Sequence, residues 1–191
     1  MSGKQAKVLS AAHIDELLEF ADTTRHPQRD LVLVLLSIKA GLRAGEIAKL
    51  TWEMVLTPDR EIANVIALYD CAAKKGHGRR IPMHPDLRGA LAVLKDQATI
   101  SGTVITSERG GPMKAISVSI WFSRAYRTLG LDGCSSHSGR RTFITKAARV
   151  VHKAGGSLRD VQLLAGHRSI QTTQRYIDGD TDAQRKLISL I

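Results

Sequence analysis

Aromatic side chains make up only 4 % of this 191-residue chain, with three phenylalanines, three tyrosines and two tryptophans. So few rings disfavour the stacking platforms that hold single-stranded nucleic acid. Cysteine is scarcer still. Cys71 and Cys134 stand alone, in no CxxC or Cys/His spacing. That argues against a disulfide-stapled scaffold or a zinc site and fits a reducing compartment. The longest apolar run, LVLVLLSI at 31–38, is far shorter than the roughly 20 residues that a membrane span needs. No apolar signal region opens the chain, and no repeat, low-complexity tract or linker divides it.

What is present is a core and a charge. Hydrophobic residues form 43 % of the chain, enough for a folded domain, and the length predicts one domain. Lysine and arginine number 28 against 18 aspartates and glutamates, a formal net charge of +10. Such an excess points to a polyanion, because each phosphate neutralised releases counterions. With few rings for stacking, a duplex gripped through its phosphates is the expected partner. A ribosome-like or merely soluble basic surface is the plain alternative. The expected setting is the cytoplasm, in association with the nucleoid, with no membrane contact.

Periodicity outlines a mainly α chain with a small antiparallel sheet, an α+β class. Residues 1–9 are polar and aperiodic, which predicts a flexible tail; the domain is expected over 10–191. Ser10 reads as the N-cap of a helix with Ile14, Leu17, Leu18 and Ala21 on one face. A buried helix is predicted over 28–40, closed by Gly41, then a short one over 44–50. ANVIALY and RRIPM, separated by KKGHG, read as two strands and a turn. Helices are predicted over 85–98 and 115–129, with VIT at 104–106 as a strand and RGGPM as a turn between them. From 139 onward the pattern is helical, broken at AGGS and Gly166, and SLRD at 157–160 has the form of a helix start. TDAQRKLISLI, at 181–191, predicts an amphipathic tail helix.

Several chemistry-bearing residues fall into one order along these elements. Arg43 follows the buried helix, with Glu46 three residues on and able to brace it. Lys74 and Lys75 open the strand turn, His137 and Arg140 stand at a helix entrance, and His167 and Tyr176 close the series. Singly, each has an ordinary explanation: a surface arginine, a solvated lysine turn, a chance His-x-x-Arg pair, a packed tyrosine.

As a set they resemble the catalytic domain of the tyrosine recombinases, the phage integrase family, over residues 8–185. Gly41, Leu42, Arg43, Glu46 and Ile47 match the family's Gly-Leu-Arg-x-x-Glu-Ile box. Lys74 stands eight residues before Pro82, as the family's strand-turn lysine does, with Lys75 one register away. His137 and Arg140 match the His-x-x-Arg box. Leu164, Gly166 and His167 match Leu-x-Gly-His, and Thr172, Thr173 and Tyr176 match the nucleophile box. Two positions depart from the pattern. Gly139 and Arg141 replace a leucine and a second histidine, a change expected to cost apolar packing beside the site.

The resemblance implies a metal-independent DNA strand transferase, without a cofactor, whose Tyr176 becomes linked to the 3′-phosphate of cut duplex DNA. Arg43 and Arg140 would hold the phosphate, since planar guanidinium forks suit its oxygens. His137 and His167 would donate hydrogen bonds or shuttle the tyrosine proton, and Lys74 would protonate the departing 5′-oxygen. The implied activity is site-specific recombination or integration, with a homotetramer in the synaptic complex and a monomer for the chain alone. Relaxation of supercoils in the manner of a type IB topoisomerase, or DNA binding without catalysis, are the alternatives. The N-terminal DNA-clamping domain usual in the family is expected to be absent.

Overall fold

The computed structural model describes residues 6–73, 76, 78–97, 100–176 and 188–189. The expectations for Lys74, Lys75 and most of the tail helix at 181–191 lie outside these residues. Helix α1 (Ala11–Asp22) starts where the sequence predicts, with the Ser10 hydroxyl accepting from the His13 amide at 3.1 Å. Leu17 and Ala21 are its buried face, with Ile14 and Leu18 partly buried beside them. Leu9 is buried, and its amide donates to the Thr142 hydroxyl at 2.8 Å.

Helix α2 (Pro27–Ile38) is the centre of the fold and packs against α1, α4 (Pro85–Gln97) and α6 (Ser138–Val150). Its run from Val32 to Ile38 is buried, which explains an apolar stretch without a polar face. Asp30 is buried on the same helix, and its carboxylate accepts from Thr24, Arg29 and the Trp121 indole. A buried charge persists where its oxygens are matched in this way.

Helix α3 (Ala44–Lys49) packs on α5 (Ala115–Thr128). Strands β1 (Val65–Leu68) and β2 (Arg79–Pro82) pair antiparallel, with Ile66 opposite Ile81 and Leu68 opposite Arg79. The predicted strand at 104–106 is absent. Thr103 makes a single bridge to Thr51 and Thr106 a single bridge to Pro112. The segment turns from one neighbour to the other after one bridge each, so no ladder forms, although Val104 and Ile105 are buried.

Two further α-helices are α7 (Leu158–Ala165) and α8 (Ile170–Gln174). The Ser157 amide donates to the Asp160 carboxylate at 2.7 Å, so SLRD does open a helix. Two clusters of buried apolar residues result. The larger joins α1–α5 and the sheet, while Ile144, Ala148, Val151, Val161 and Ala165 form a smaller one between α6 and α7. Among the described residues, no helix is long and apolar enough to cross a membrane.

Candidate active site

The first turn of α3 organises one half of the site. Glu46 is the third residue of the helix, so its carboxylate reaches back to the Arg43 amide at 3.0 Å and to the Arg43 guanidinium at 2.7 Å. Arg79 closes on the same carboxylate with both terminal nitrogens, at 3.1 and 3.0 Å. Its third nitrogen, Nε, donates to the Leu164 carbonyl at 2.9 Å. Burial alone would raise the Glu46 pKa, but the hydrogen bonds and charges of Arg79 and then Arg43 outweigh it and hold the group at about 2. Glu46 is therefore a carboxylate at any working pH.

The other half is built on α6 and the α7–α8 turn. Arg140, only 3 % exposed, donates to the Gly41 carbonyl at 2.6 Å and the Ala165 carbonyl at 2.7 Å. It also faces His167 Nε2 at 3.0 Å. A guanidinium can only donate, so Nε2 accepts. Burial first, then the charges of Arg140, Arg43 and Arg79, pull the His167 pKa down to about 4. The ring is thus neutral at pH 7, with its proton on Nδ1, 3.0 Å from the buried Thr173 hydroxyl. Arg140 is itself lowered to about 10, by burial and then by the Arg43 charge, and stays cationic.

Tyr176 lies just beyond α8, half-buried against the smaller apolar cluster. Its ring stacks on His167 with centroids 5.4 Å apart and planes 24° from parallel. The Arg141 guanidinium lies over the same ring, 5.8 Å from its centroid. Tyr176, Arg140, Arg141, Thr172 and His137 border a cavity of about 370 Å³. His137, exposed at the N-cap of α6, also borders the neighbouring hollow of about 460 Å³ lined by Arg43 and Glu46. It stands at the junction of the two halves.

Five of the six sequence-predicted site residues are therefore brought together: Arg43, His137, Arg140, His167 and Tyr176, with Glu46 behind Arg43. Lys74 and Lys75 fall between β1 and β2 in the sequence and lie outside the described residues. The sequence reading offers His167 as a hydrogen-bond donor or a proton shuttle. Both of its nitrogens face other partners, and it meets Tyr176 by its ring face.

Two features escaped the sequence. Arg79 was read only as part of a strand, yet it joins β2, α3 and α7. Gly139 was expected to leave a packing deficit, but α2 fills that space. A Cβ built there would come within 3.0 Å of Ser37 Cβ and 3.1 Å of Ile38 Cγ2. Gly166 has a related reason. It caps α7 at φ +63°, and a side chain there would press on Arg79 at 3.0 Å.

Four guanidiniums, those of Arg43, Arg79, Arg140 and Arg141, outnumber the one carboxylate beside a neutral imidazole, so these groups carry a surplus of positive charge. A hole of that charge beside a tyrosine hydroxyl suits an anion such as a phosphodiester. Tyrosine recombinase XerC of Nitrobacter winogradskyi is 28 % identical over 187 residues, covering 89 % of this chain and 54 % of that protein. Tyrosine recombinase XerC of Corynebacterium glutamicum is 29 % identical over 177 residues, with the same coverage of each chain. The chain thus spans about half the length of these relatives. Among solved structures, the XerA recombinase superposes with a TM-score of 0.75 at 23 % identity, covering 96 % of this chain and 64 % of that one. A lambda integrase dimer bound to a COC′ core site gives 0.69 at 22 %, covering 93 % and 49 %. The profile of the phage integrase family matches residues 7–182, nearly the whole length, and the chain belongs to that family.

Proposed function

We propose that this chain is the catalytic domain of a site-specific DNA recombinase that cuts and rejoins duplex DNA through a covalent link to Tyr176. The observation that carries the reading is the buried Arg140 bonded to His167, whose ring in turn stacks on Tyr176. A phosphodiester has one negative charge, and the five-coordinate transition state formed by tyrosine attack gathers a second on its non-bridging oxygens. The surplus positive charge at the site favours that developing charge over the ground state, which is the condition for catalysis.

In the forward step the Tyr176 oxygen bonds to phosphorus as the bond to the 5′-oxygen breaks. Arg43 and Arg140 hold the non-bridging oxygens. The phenolic proton leaves toward His137, the site imidazole that borders both hollows. The 5′-oxygen takes its proton from Lys74, or from Lys75 if the turn is shifted by one. The phosphotyrosyl ester keeps the energy of the original linkage, so a 5′-hydroxyl from another strand can attack it and reseal without ATP. Arginines supply the charge stabilisation here, so the cleavage step proceeds without a divalent metal. Exchange between two duplexes breaks four strands, which calls for four copies of Tyr176 and a tetrameric synapse. The setting is the cytoplasm, on the nucleoid.

The test is capture of the intermediate on a nicked duplex that loses its short 5′-hydroxyl fragment after cleavage. The wild-type chain should give a protein–DNA adduct stable to boiling in detergent, in excess EDTA. Tyr176→Phe should bind the duplex with similar affinity and give no adduct. An adduct in the phenylalanine variant would refute the nucleophile, and a metal requirement would refute the charge argument. Relaxation of supercoils without a specific site would instead favour topoisomerase-like action.

A further inference from the structure

We infer that Arg79 is a positioning residue for cleavage, acting through Glu46 to set the guanidinium of Arg43; this rests on the function proposed above. The Glu46 carboxylate is shared evenly. Oε1 accepts from the side chains of Arg43 and Arg79, and Oε2 accepts from the Arg43 amide and from Arg79. Four hydrogen bonds from these two residues, two to each oxygen, fix the plane of the carboxylate. That plane dictates where the Arg43 guanidinium points, and Arg43 is the partly open one, with 22 % of its side chain exposed against 7 % for Arg79.

All three nitrogens of Arg79 are committed to Glu46 and the Leu164 carbonyl, so its influence passes through those contacts. Its Nε bond to the Leu164 carbonyl anchors it to the end of α7, two residues before Gly166 and three before His167. One planar group therefore ties the brace of Arg43 to the turn that carries His167. A lysine could supply charge to Glu46, but it lacks the rigid fork needed to hold both oxygens and a carbonyl at once. An arginine rather than any cation is required.

Acting through Arg43 has a signature that a general folding role lacks, because effects along one chain of contacts do not add. The experiment measures single-turnover cleavage of the nicked duplex by the full chain carrying Arg79→Met, Arg79→Lys, Arg43→Lys, and Arg43→Lys with Arg79→Met. Thermal melts accompany each. Arg79→Lys keeps a cation beside Glu46, so it provides a folded variant if Arg79→Met unfolds. Both Arg79 variants should cleave on the order of 10²-fold more slowly, the usual consequence of a small misplacement at a reacting group. In the Arg43→Lys background, Arg79→Met should cost little more. A duplex with sulfur in place of the bridging 5′-oxygen should not restore the rate, although it should restore Lys74→Ala, because Arg79 does not act on the leaving group.

A folded Arg79→Met or Arg79→Lys chain cleaving at the wild-type rate would overturn the inference. So would losses that multiply in the double variant. Rescue by sulfur would also overturn it, by showing that Arg79 works through the lysine turn. Failure of the wild-type chain to form any adduct would count against the proposed function instead.

Discussion

A carboxylate with 1 % of its side chain exposed has to be matched by cations, and Glu46 is matched by two. The match makes stability depend on pH in a fixed direction. Folded Glu46 stays ionised down to about 2, against an ordinary value of 4.5. Between these values the unfolded chain binds the extra proton, so stability is full above about 4.5 and is lost as pH falls toward 2. The shift corresponds to something on the order of 3 kcal/mol. Urea melts across that window should show the gap between wild type and Glu46→Gln closing as pH falls; a constant gap would contradict the ion-pair account. His167 makes a separate prediction. Its neutral form is favoured down to about 4, so its ring resonances should not titrate between pH 5.5 and 8, and a midpoint near the ordinary 6.5 in NMR would remove the neutral, Arg140-bound tautomer. Glu46 was legible in the sequence because its partner lies three residues away on the same helical turn. Arg79 was not, because its partners lie 33 and 85 residues away, and a strand arginine has no local pattern that marks it as buried.

Elements bring these residues together by close approach of α6 to α2. Gly139 lies on the contact face, and the Gly41 carbonyl just beyond α2 accepts from Arg140, so the spacing of the two helices fixes the depth of that arginine. Gly139→Leu, which restores the residue type usual in the family's box, should therefore destabilise this chain by roughly 1–3 kcal/mol through overpacking against Ser37 and Ile38. Chemical denaturation measures the cost, and an unchanged or raised stability would mean that α2 yields to the side chain. Helix starts were well marked, since Ser10 and Ser157 announce their caps and the amphipathic stripes follow. The helix interior at 31–38 was legible as buried because it has no polar face. The segment at 104–106 misled because a short apolar run looks the same whether it joins a ladder or passes between two single bridges. Gly139 misled for a related reason: a sequence shows the missing side chain but not the helix that takes its place.

At the scale of the whole molecule, the charge of +10 and the charge of the site play different parts. Under the proposed function, the overall excess would draw the chain to any duplex, while the buried arginines would act only on the phosphate that enters the site. Salt separates the two, because each phosphate neutralised contributes about −0.9 to the slope of log affinity against log salt concentration. Arg43 is partly open, whereas Arg140 gives three of its five N–H donors to two carbonyls and His167, and Arg79 is closed over Glu46. Replacing Arg43 by alanine leaves Glu46 paired with Arg79, so the change subtracts one cation without leaving a bare buried carboxylate. Fluorescence anisotropy with a labelled duplex, repeated over a series of sodium chloride concentrations, should therefore give a steep slope for the wild-type chain. The slope for Arg43→Ala should be shallower by about 0.9. Tyr176→Phe should keep the wild-type slope, since a neutral hydroxyl releases no counterion. A wild-type slope in Arg43→Ala would mean that this guanidinium does not neutralise a phosphate in the bound state, and its place at the reacting phosphodiester would have to be given up.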